Sequence, residues 1–252
     1  MEKKKETQQI FIKKSLAIFS LTCCEGCQFE LLKDYVNFNH LLNFYELKNF
    51  RLGQENNLDG PFDVAVVEGT PESQREYKLL HQIRRESKIV VAMGACANLG
   101  GIQSQRNHLP AKYIGKPEVK TLYDTIKIDF SIPGCPITNT EAISILVDLY
   151  WDKIPKLPGH AVCFECRLNE NECLIKKGLP CLGPVTVAGC NSICINSKES
   201  CFGCRGPLPQ ANFIKMKEIL SAMLSKKEIE DWLTIYGDYQ KKWLGINKRD
   251  KS

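Results

Sequence analysis

The cysteines form the most informative pattern in this chain of 252 residues, which contains thirteen of them. Eight lie close together in the second half: Cys163, Cys166, Cys173, Cys181, Cys190, Cys194, Cys201 and Cys204. Thiolates are ligands for zinc and for iron–sulfur clusters, and both kinds of site commonly use four cysteines. The eight cysteines therefore predict two metal sites with four ligands each.

Four more cysteines each lie just beyond an apolar run of strand length: Cys24, Cys27, Cys96 and Cys135. They form a third set of four, and a glycine adjoins or lies close to each of them, at Gly26, Gly94 and Gly134. Glycine lets backbone N–H groups approach cluster sulfur atoms closely. Cys23 is left over and is predicted to be a buried spare thiol.

Alternating strands and helices are predicted around these cysteines. Continuous apolar or β-branched runs predict strands, and polar periodic stretches predict helices. The predicted strands are 14–21, 43–47, 63–68, 88–93 and 126–132, and the predicted helices are 29–35, 72–86 and 138–150. This alternation indicates an α/β fold with a doubly wound parallel sheet, in which the loops after the strands meet at one edge.

The second half of the chain has a different character. Residues 159–209 are rich in Cys, Gly and Pro, so we expect mostly irregular structure that is held together by its metal sites rather than by a core. Two closing helices are predicted at 216–223 and 227–236, and an extended loop at 103–121. The predicted domains are a basic N-terminal extension at 1–13, an α/β domain at 14–154 and a metal-site domain at 155–252.

Composition excludes several classes of protein. Hydrophobic residues make up 43% and charged residues 25%, proportions typical of a folded globular protein. We expect no membrane span, no secretory signal and a cytoplasmic location, where cysteines bind metal more often than they form disulfides. The net charge of +5 comes largely from basic ends, which are usually solvated, so no nucleic-acid partner is expected.

Zinc remains the main alternative metal, because the C-x-x-C pairs at 163–166 and 201–204 would also suit two zinc sites. The proximity of His160 to Cys163 makes it an alternative ligand. Glu25 and Glu68 lie in or near the cysteine loops, where they could hydrogen-bond to the backbone or tune the potential of a cluster.

Several motifs resemble those of a known family. They are C-E-G-C at 24–27, G-A-C-A at 94–97 and P-G-C-P at 133–136, together with the eight cysteines between residues 163 and 204. In combination they are similar to the small subunits of [NiFe] hydrogenases. The details C-x-E-C-R-L and G-C-R-G-P resemble in particular the delta subunit of cytosolic NAD(P)-linked hydrogenases, also called sulfhydrogenases. The resemblance covers about residues 14–210.

The resemblance implies a flavodoxin-like domain that carries one [4Fe-4S] cluster and a later part that carries two more. The proximal set would be Cys24, Cys27, Cys96 and Cys135. The distal set would be Cys163, Cys166, Cys173 and Cys181. The medial set would be Cys190, Cys194, Cys201 and Cys204. Many respiratory relatives have only three medial cysteines, so Cys194 implies a four-iron medial cluster in this chain.

The implied function is electron transfer without bond chemistry. Electrons would pass through three [4Fe-4S] clusters between the Ni–Fe site of a large subunit and flavin/iron–sulfur subunits that reduce NAD(P). Alternative functions are a hydrogenase small subunit linked to heterodisulfide reductase or to a deazaflavin, and a complex-I-like cluster subunit. The adjacent pair Cys23 and Cys24 resembles the complex-I type, but the eight later cysteines argue against it.

Overall fold

The computed structural model describes residues 12–109 and 118–237. Most of the predicted basic extension at 1–13 and the chain beyond residue 237 lie outside these ranges. Within them, none of the helices has both the length and the apolar character that crossing a bilayer requires.

Five parallel strands form one sheet. They are β1 (Lys14–Ser20), β2 (Tyr45–Phe50), β3 (Phe62–Glu68), β4 (Ser87–Met93) and β5 (Phe130–Ile132). Their spatial order is β2-β1-β3-β4-β5, and every neighbouring pair is parallel. This is the strand order of flavodoxin-like sheets, and it confirms the predicted fold class.

Helices cover both faces of the sheet. Those of the first half are α1 (Gly26–Lys33), α2 (Tyr35–Leu41), α3 (Gln74–Glu86), α4 (Gly94–Leu99) and α5 (Asn139–Tyr150). Those of the second half are α6 (Val162–Leu168), α7 (Ile193–Asn196), α8 (Phe213–Ser221) and α9 (Lys226–Leu233). Among the residues that the structure describes, four short 3-10 helices lie between them, at Ile102–His108, Leu122–Asp124, Ile175–Lys177 and Gly183–Val185.

The central strand β3 shows why its sequence is continuously apolar. Val64 and Val66 pack into the core cluster on the side of α1, α2 and α5, whereas Ala65 and Val67 pack into the cluster on the side of α3. Successive side chains of a strand point to opposite faces, so a strand that is covered on both faces must be apolar at every position.

Capping residues shift two of the predicted helices. The helix predicted at 72–86 begins at Gln74 because Ser73 caps it: the Ser73 Oγ accepts the Glu76 N–H at 3.2 Å and the Glu76 carboxylate accepts the Ser73 N–H at 2.8 Å. The helix predicted at 29–35 is instead two helices, because Asp34 interrupts it and caps α2 by accepting the Asn37 N–H at 3.0 Å.

The prediction of a strand at 126–132 was too long. Only residues 130–132 pair with β4, because the chain before them forms the 3-10 turn Leu122–Asp124. Leu122 in that turn and Ile126 just after it bury their side chains in the core on the side of α3. The predicted extended loop at 103–121 was also partly wrong, since it begins as the 3-10 helix Ile102–His108, and its part from 110 to 117 lies outside the described residues.

The second half of the chain buries small apolar clusters, so the prediction that it lacks a core was wrong. Val162, Leu174 and Ile195 pack with three of the cysteines, and a separate cluster joins Leu182 and Val185 to α8 and α9. The closing helices begin and end earlier than the predicted 216–223 and 227–236, because Asn212 and Ser225 cap them. The domain boundary at 154/155 stays a prediction.

Leu146 of α5 is 0% exposed and belongs to the larger core cluster. Leu146→Ala should lower the free energy of unfolding by about 3 kcal/mol, because it removes buried methyl groups and leaves a cavity. Leu58→Ala is the matched control, since Leu58 is 52% exposed, and it should cost less than about 0.5 kcal/mol. Anaerobic chemical denaturation measures both, and equal losses would contradict this packing.

Candidate iron–sulfur cluster sites

The proximal set comes together at the carboxyl edge of the sheet, as predicted from the strand ends. Cys24 and Cys27 follow β1, Cys96 lies in α4 directly after β4, and Cys135 follows β5. The thiolate of Cys135 interacts electrostatically with those of Cys24, Cys27 and Cys96. The flavodoxin-like sheet thus gathers four thiols from three loops.

A glycine makes room for this set. Gly94 has a φ of 83°, and a Cβ atom at this position would lie 2.5 Å from the Cys27 Sγ. No side chain could be accommodated there without displacing the thiol. The backbone at Gly94 therefore shapes the space next to Cys27, which fits a bulky inorganic group bound by the thiols.

Burial controls the charge of these thiols. It raises the pKa of Cys96 to about 12, and the neighbouring thiolates of Cys135 and Cys24 add to the increase. Burial also raises the pKa of Cys27, with the charge of Glu68 as the next cause. An isolated thiolate is costly in this environment, whereas iron ions bound to the sulfur atoms would supply the missing positive charge.

Glu68 is the buried acidic group of the proximal set. It ends β3 and is 1% exposed, and its carboxylate accepts the Cys27 N–H at 3.2 Å and the Gln28 Nε2–H at 3.0 Å. Glu25 accepts the hydroxyl of Ser20 at 3.1 Å. Cys23, the predicted spare thiol, lies close enough that Glu68 and Cys96 help to raise its pKa, although burial is the main cause.

The distal set gathers around α6. Burial raises the pKa of the Cys163 thiol to about 12. The charges of Cys181, Cys166 and Cys173 add to this increase, so the four thiols interact. A Cβ atom on Gly183 would lie 3.4 Å from the Sγ atoms of both Cys163 and Cys181. The imidazole of His160, the alternative ligand, instead lies against the ring of Phe164 with 4.5 Å between the centroids.

The medial set lines a cavity of about 360 Å³. All four of its cysteines contribute to the wall: Cys190, Cys194, Cys201 and Cys204. The thiol of Cys204 interacts with those of Cys190, Cys135 and Cys194, and burial raises its pKa to about 12. Four thiols around one cavity are the donor set that a cubane iron–sulfur cluster requires.

The medial set lies between the other two sets. The Cys204 thiol accepts a hydrogen bond from the Cys135 N–H, which joins the medial set to the proximal set. Cys201 interacts with Cys181, which joins the medial set to the distal set. Glu165 of α6 strengthens this second junction, because its carboxylate accepts the N–H groups of Gly189 at 2.7 Å and Ser192 at 3.2 Å.

A single zinc ion would require a tight arrangement of thiols. Four sulfur atoms around one zinc ion, each about 2.3 Å from it, must lie within about 4 Å of one another, whereas a cluster of several irons holds its thiolates farther apart. In residues 12–109 and 118–237, no three His, Cys, Asp or Glu side chains converge closely enough to hold a single metal ion.

Two residues of these sites were missed by the sequence reasoning. Tyr236 was placed inside the last predicted helix, but it follows the end of α9 and its hydroxyl donates a hydrogen bond to the Cys135 thiolate. Arg205 is buried beside Cys204, and its guanidinium contacts the loops of two cysteine sets. The motif G-C-R-G-P was the available signal for Arg205, whereas nothing nearby in sequence marks Tyr236.

Comparison with known proteins shows which sequences this chain is similar to. The family model of the NADH ubiquinone oxidoreductase 20 kDa subunit matches residues 24–149. The delta subunit of sulfhydrogenase 2 from Pyrococcus furiosus is 39% identical over 85% of this chain and 95% of its own length. A subunit of the F420-non-reducing hydrogenase vhu from Methanocaldococcus jannaschii is 30% identical over 76% of this chain and 81% of its own length.

Solved structures of hydrogenases share the fold. A chain of an NAD+-reducing [NiFe]-hydrogenase superposes with a TM-score of 0.54 at 24% identity, covering 58% of this chain and 96% of that one. A chain of the [NiFeSe]-hydrogenase from Dm. baculatum superposes with a TM-score of 0.57 at 19% identity, covering 79% of this chain and 96% of that one.

The family model ends before the eight later cysteines, whereas the sulfhydrogenase relative extends over most of the chain. The cysteine-rich second half, together with this relative, indicates an iron–sulfur protein of the hydrogenase type rather than a subunit of the complex-I type. The chain therefore belongs to the NADH ubiquinone oxidoreductase 20 kDa subunit family and, within that family, is a [NiFe]-hydrogenase small-subunit homologue.

Proposed function

We propose that this chain is the electron-transfer subunit of a cytoplasmic [NiFe] hydrogenase, relaying electrons between the Ni–Fe site of a large subunit and flavin/iron–sulfur subunits that reduce NAD(P). The observation that carries the proposal is the series of three four-cysteine sets, joined through Cys135 and Cys204 at one end and Cys181 and Cys201 at the other. The similarity to a sulfhydrogenase delta subunit over 95% of its length supports it.

Each set would hold one [4Fe-4S] cluster, which supplies the ability to accept and release one electron without breaking bonds. The proximal ligands are Cys24, Cys27, Cys96 and Cys135. The medial ligands are Cys190, Cys194, Cys201 and Cys204. The distal ligands are Cys163, Cys166, Cys173 and Cys181. We assign no bond chemistry to this chain, because hydrogen would be split at the large subunit.

The surrounding residues would set how readily each site accepts an electron. Burial keeps water away from the Cys201 and Cys204 sulfur atoms, which makes added negative charge costly. Hydrogen bonds to sulfur offset this cost, and the donors include the Cys135 N–H and the Tyr236 hydroxyl. Because burial and hydrogen bonding act in opposite directions, their balance at each site would set the reduction potential of that site separately.

Metal analysis of anaerobically purified protein tests the proposal first. We expect about twelve iron and about twelve acid-labile sulfide per chain, with broad brown absorption. Affinity purification from the native cell should also recover a nickel-containing subunit and hydrogen-dependent reduction of NAD(P)+. About two or three zinc with no sulfide would contradict the cluster assignment, and a complex without nickel would contradict the hydrogenase assignment.

Substitution of one medial ligand tests the ligand set. Cys194→Ala should convert the medial cluster to a three-iron form, because one iron loses its only protein ligand, and the iron content should fall by about one per chain. Cys23→Ala is the matched control and should leave iron content and the electron paramagnetic resonance (EPR) spectrum unchanged. An unchanged spectrum and iron count in Cys194→Ala would remove Cys194 from the ligand set.

Tyr236→Phe tests hydrogen bonding to the proximal set. Loss of the hydroxyl removes a donor to the Cys135 sulfur, so the reduced cluster is less stabilised and its midpoint potential should fall. Tyr35→Phe provides the control, because Tyr35 is 74% exposed on α2. An EPR redox titration measures both variants, and the predicted role of Tyr236 is wrong if its potential matches that of the control.

A further inference from the structure

Arg205 is a buried cation with hydrogen-bond partners on all three nitrogens of its guanidinium. The residue is 4% exposed and lies immediately after the medial ligand Cys204. Its Nε–H donates to the carbonyl oxygens of Ala188 at 2.8 Å and Val187 at 3.2 Å. One Nη–H donates to the Pro133 carbonyl at 3.1 Å, and the other Nη donates to the Glu141 carboxylate at 2.7 Å.

These partners belong to two different cluster sites. Pro133 lies two residues before the proximal ligand Cys135, and Ala188 lies two residues before the medial ligand Cys190. Arg205 therefore contacts the backbone just before one ligand of each set and is covalently adjacent to a third ligand, Cys204. A single guanidinium thus connects the proximal loop to the medial loops.

The local backbone is built around this side chain. Gly189 has a φ of 117°, and a Cβ atom there would lie 2.3 Å from an Nη of Arg205 and 2.5 Å from the Glu141 carboxylate. Thr138 at the start of α5 also donates its hydroxyl to the Gly189 carbonyl at 3.0 Å. The chain therefore keeps a side chain out of the space that the guanidinium and Glu141 occupy.

The chemistry requires arginine rather than any cation. The planar guanidinium presents its donors in a fixed fork, so it can bind both cysteine loops and Glu141 of α5 at once, whereas a lysine ammonium is a single point on a flexible stem. Its charge is also permanent. The guanidinium is buried next to the medial ligand Cys204 and between the loops of both sets, so water screens its charge little.

We propose that Arg205 is a positioning residue that holds the proximal and medial cluster loops at a fixed separation and favours the reduced form of both sites. This inference rests on the proposed function, since it requires clusters at both sets of cysteines. The rate of electron tunnelling falls steeply with distance, so a fixed separation between the two clusters keeps that rate from varying. A buried cation stabilises the negative charge that each site gains on reduction.

The test is an EPR redox titration of the full-length chain, purified anaerobically with its iron. Arg205→Gln should lower the midpoint potentials of the proximal and medial clusters, because it removes the cation, and should leave the distal potential unchanged. Arg205→Lys keeps the charge but loses the fork, so the potentials should stay close to wild type while the magnetic interaction between the two reduced clusters changes.

Two further variants provide a test of opposite sign and a control. Glu141→Gln retains an acceptor for Arg205 but removes a negative charge, so it should shift the same two potentials upward, opposite to Arg205→Gln. Arg84→Gln is the matched control, because Arg84 also forms an ion pair, with Asp129 at 2.5 Å, and donates to the carbonyls of Ser87 and Lys88, but at the amino end of β4. It should shift none of the potentials.

The outcomes separate this inference from the proposed function. Wild-type protein without iron and sulfide would overturn both. Wild-type protein with three clusters, but with unchanged potentials in Arg205→Gln and Glu141→Gln, would overturn only the role of Arg205. Potential shifts of equal size in all three clusters, or of the same sign in Arg205→Gln and Glu141→Gln, would indicate general loosening of the structure. Either result would also overturn the role of Arg205.

Discussion

Desolvation of the cysteine thiolates is the constraint on which the rest of this structure depends. Burial raises the pKa of thiols in all three sets, for example Cys96, Cys163 and Cys204, to about 12. Thiols that are both buried and close to one another carry charge only when cations lie among them. The proposed clusters would supply those cations, so binding of metal would stabilise the cysteine-rich half as well as serve the proposed electron transfer.

The two halves of the chain bury their thiols in different ways: the sheet does so in the first half, and small apolar cores do so in the second half. Parallel strands place the loops after β1, β4 and β5 at one edge, where they bring the proximal cysteines together. The part of the second half that the structure describes adds no strand to the sheet, so short helices and apolar clusters around Val162, Leu174 and Ile195 hold its cysteines. Arg205 and Glu165 then join the sets, each through hydrogen bonds to the backbone of a cysteine loop.

Much of this arrangement could be predicted from the sequence, because it depends on periodicity and on cysteine spacing. The apolar run of β3 predicts a strand covered on both faces, and the cysteines after strand ends predict a shared edge. The missed features depend on contacts between residues distant in sequence. Ile126 looked like part of a strand but packs from a 3-10 turn, and Tyr236 reaches Cys135 across about a hundred positions of the chain. Local propensity does not encode such contacts.

The position of Tyr236 also affects the order of events during synthesis. The proximal cysteines are complete once residue 135 has left the ribosome, whereas Tyr236 follows about a hundred residues later. The residues around it then pack back on the first half, where Gln105 donates to the Ile235 carbonyl at 3.2 Å and the backbone of Gly237 lies against the Leu99 carbonyl. The nascent protein therefore lacks this cover over the proximal thiols until residues 235–237 have been made.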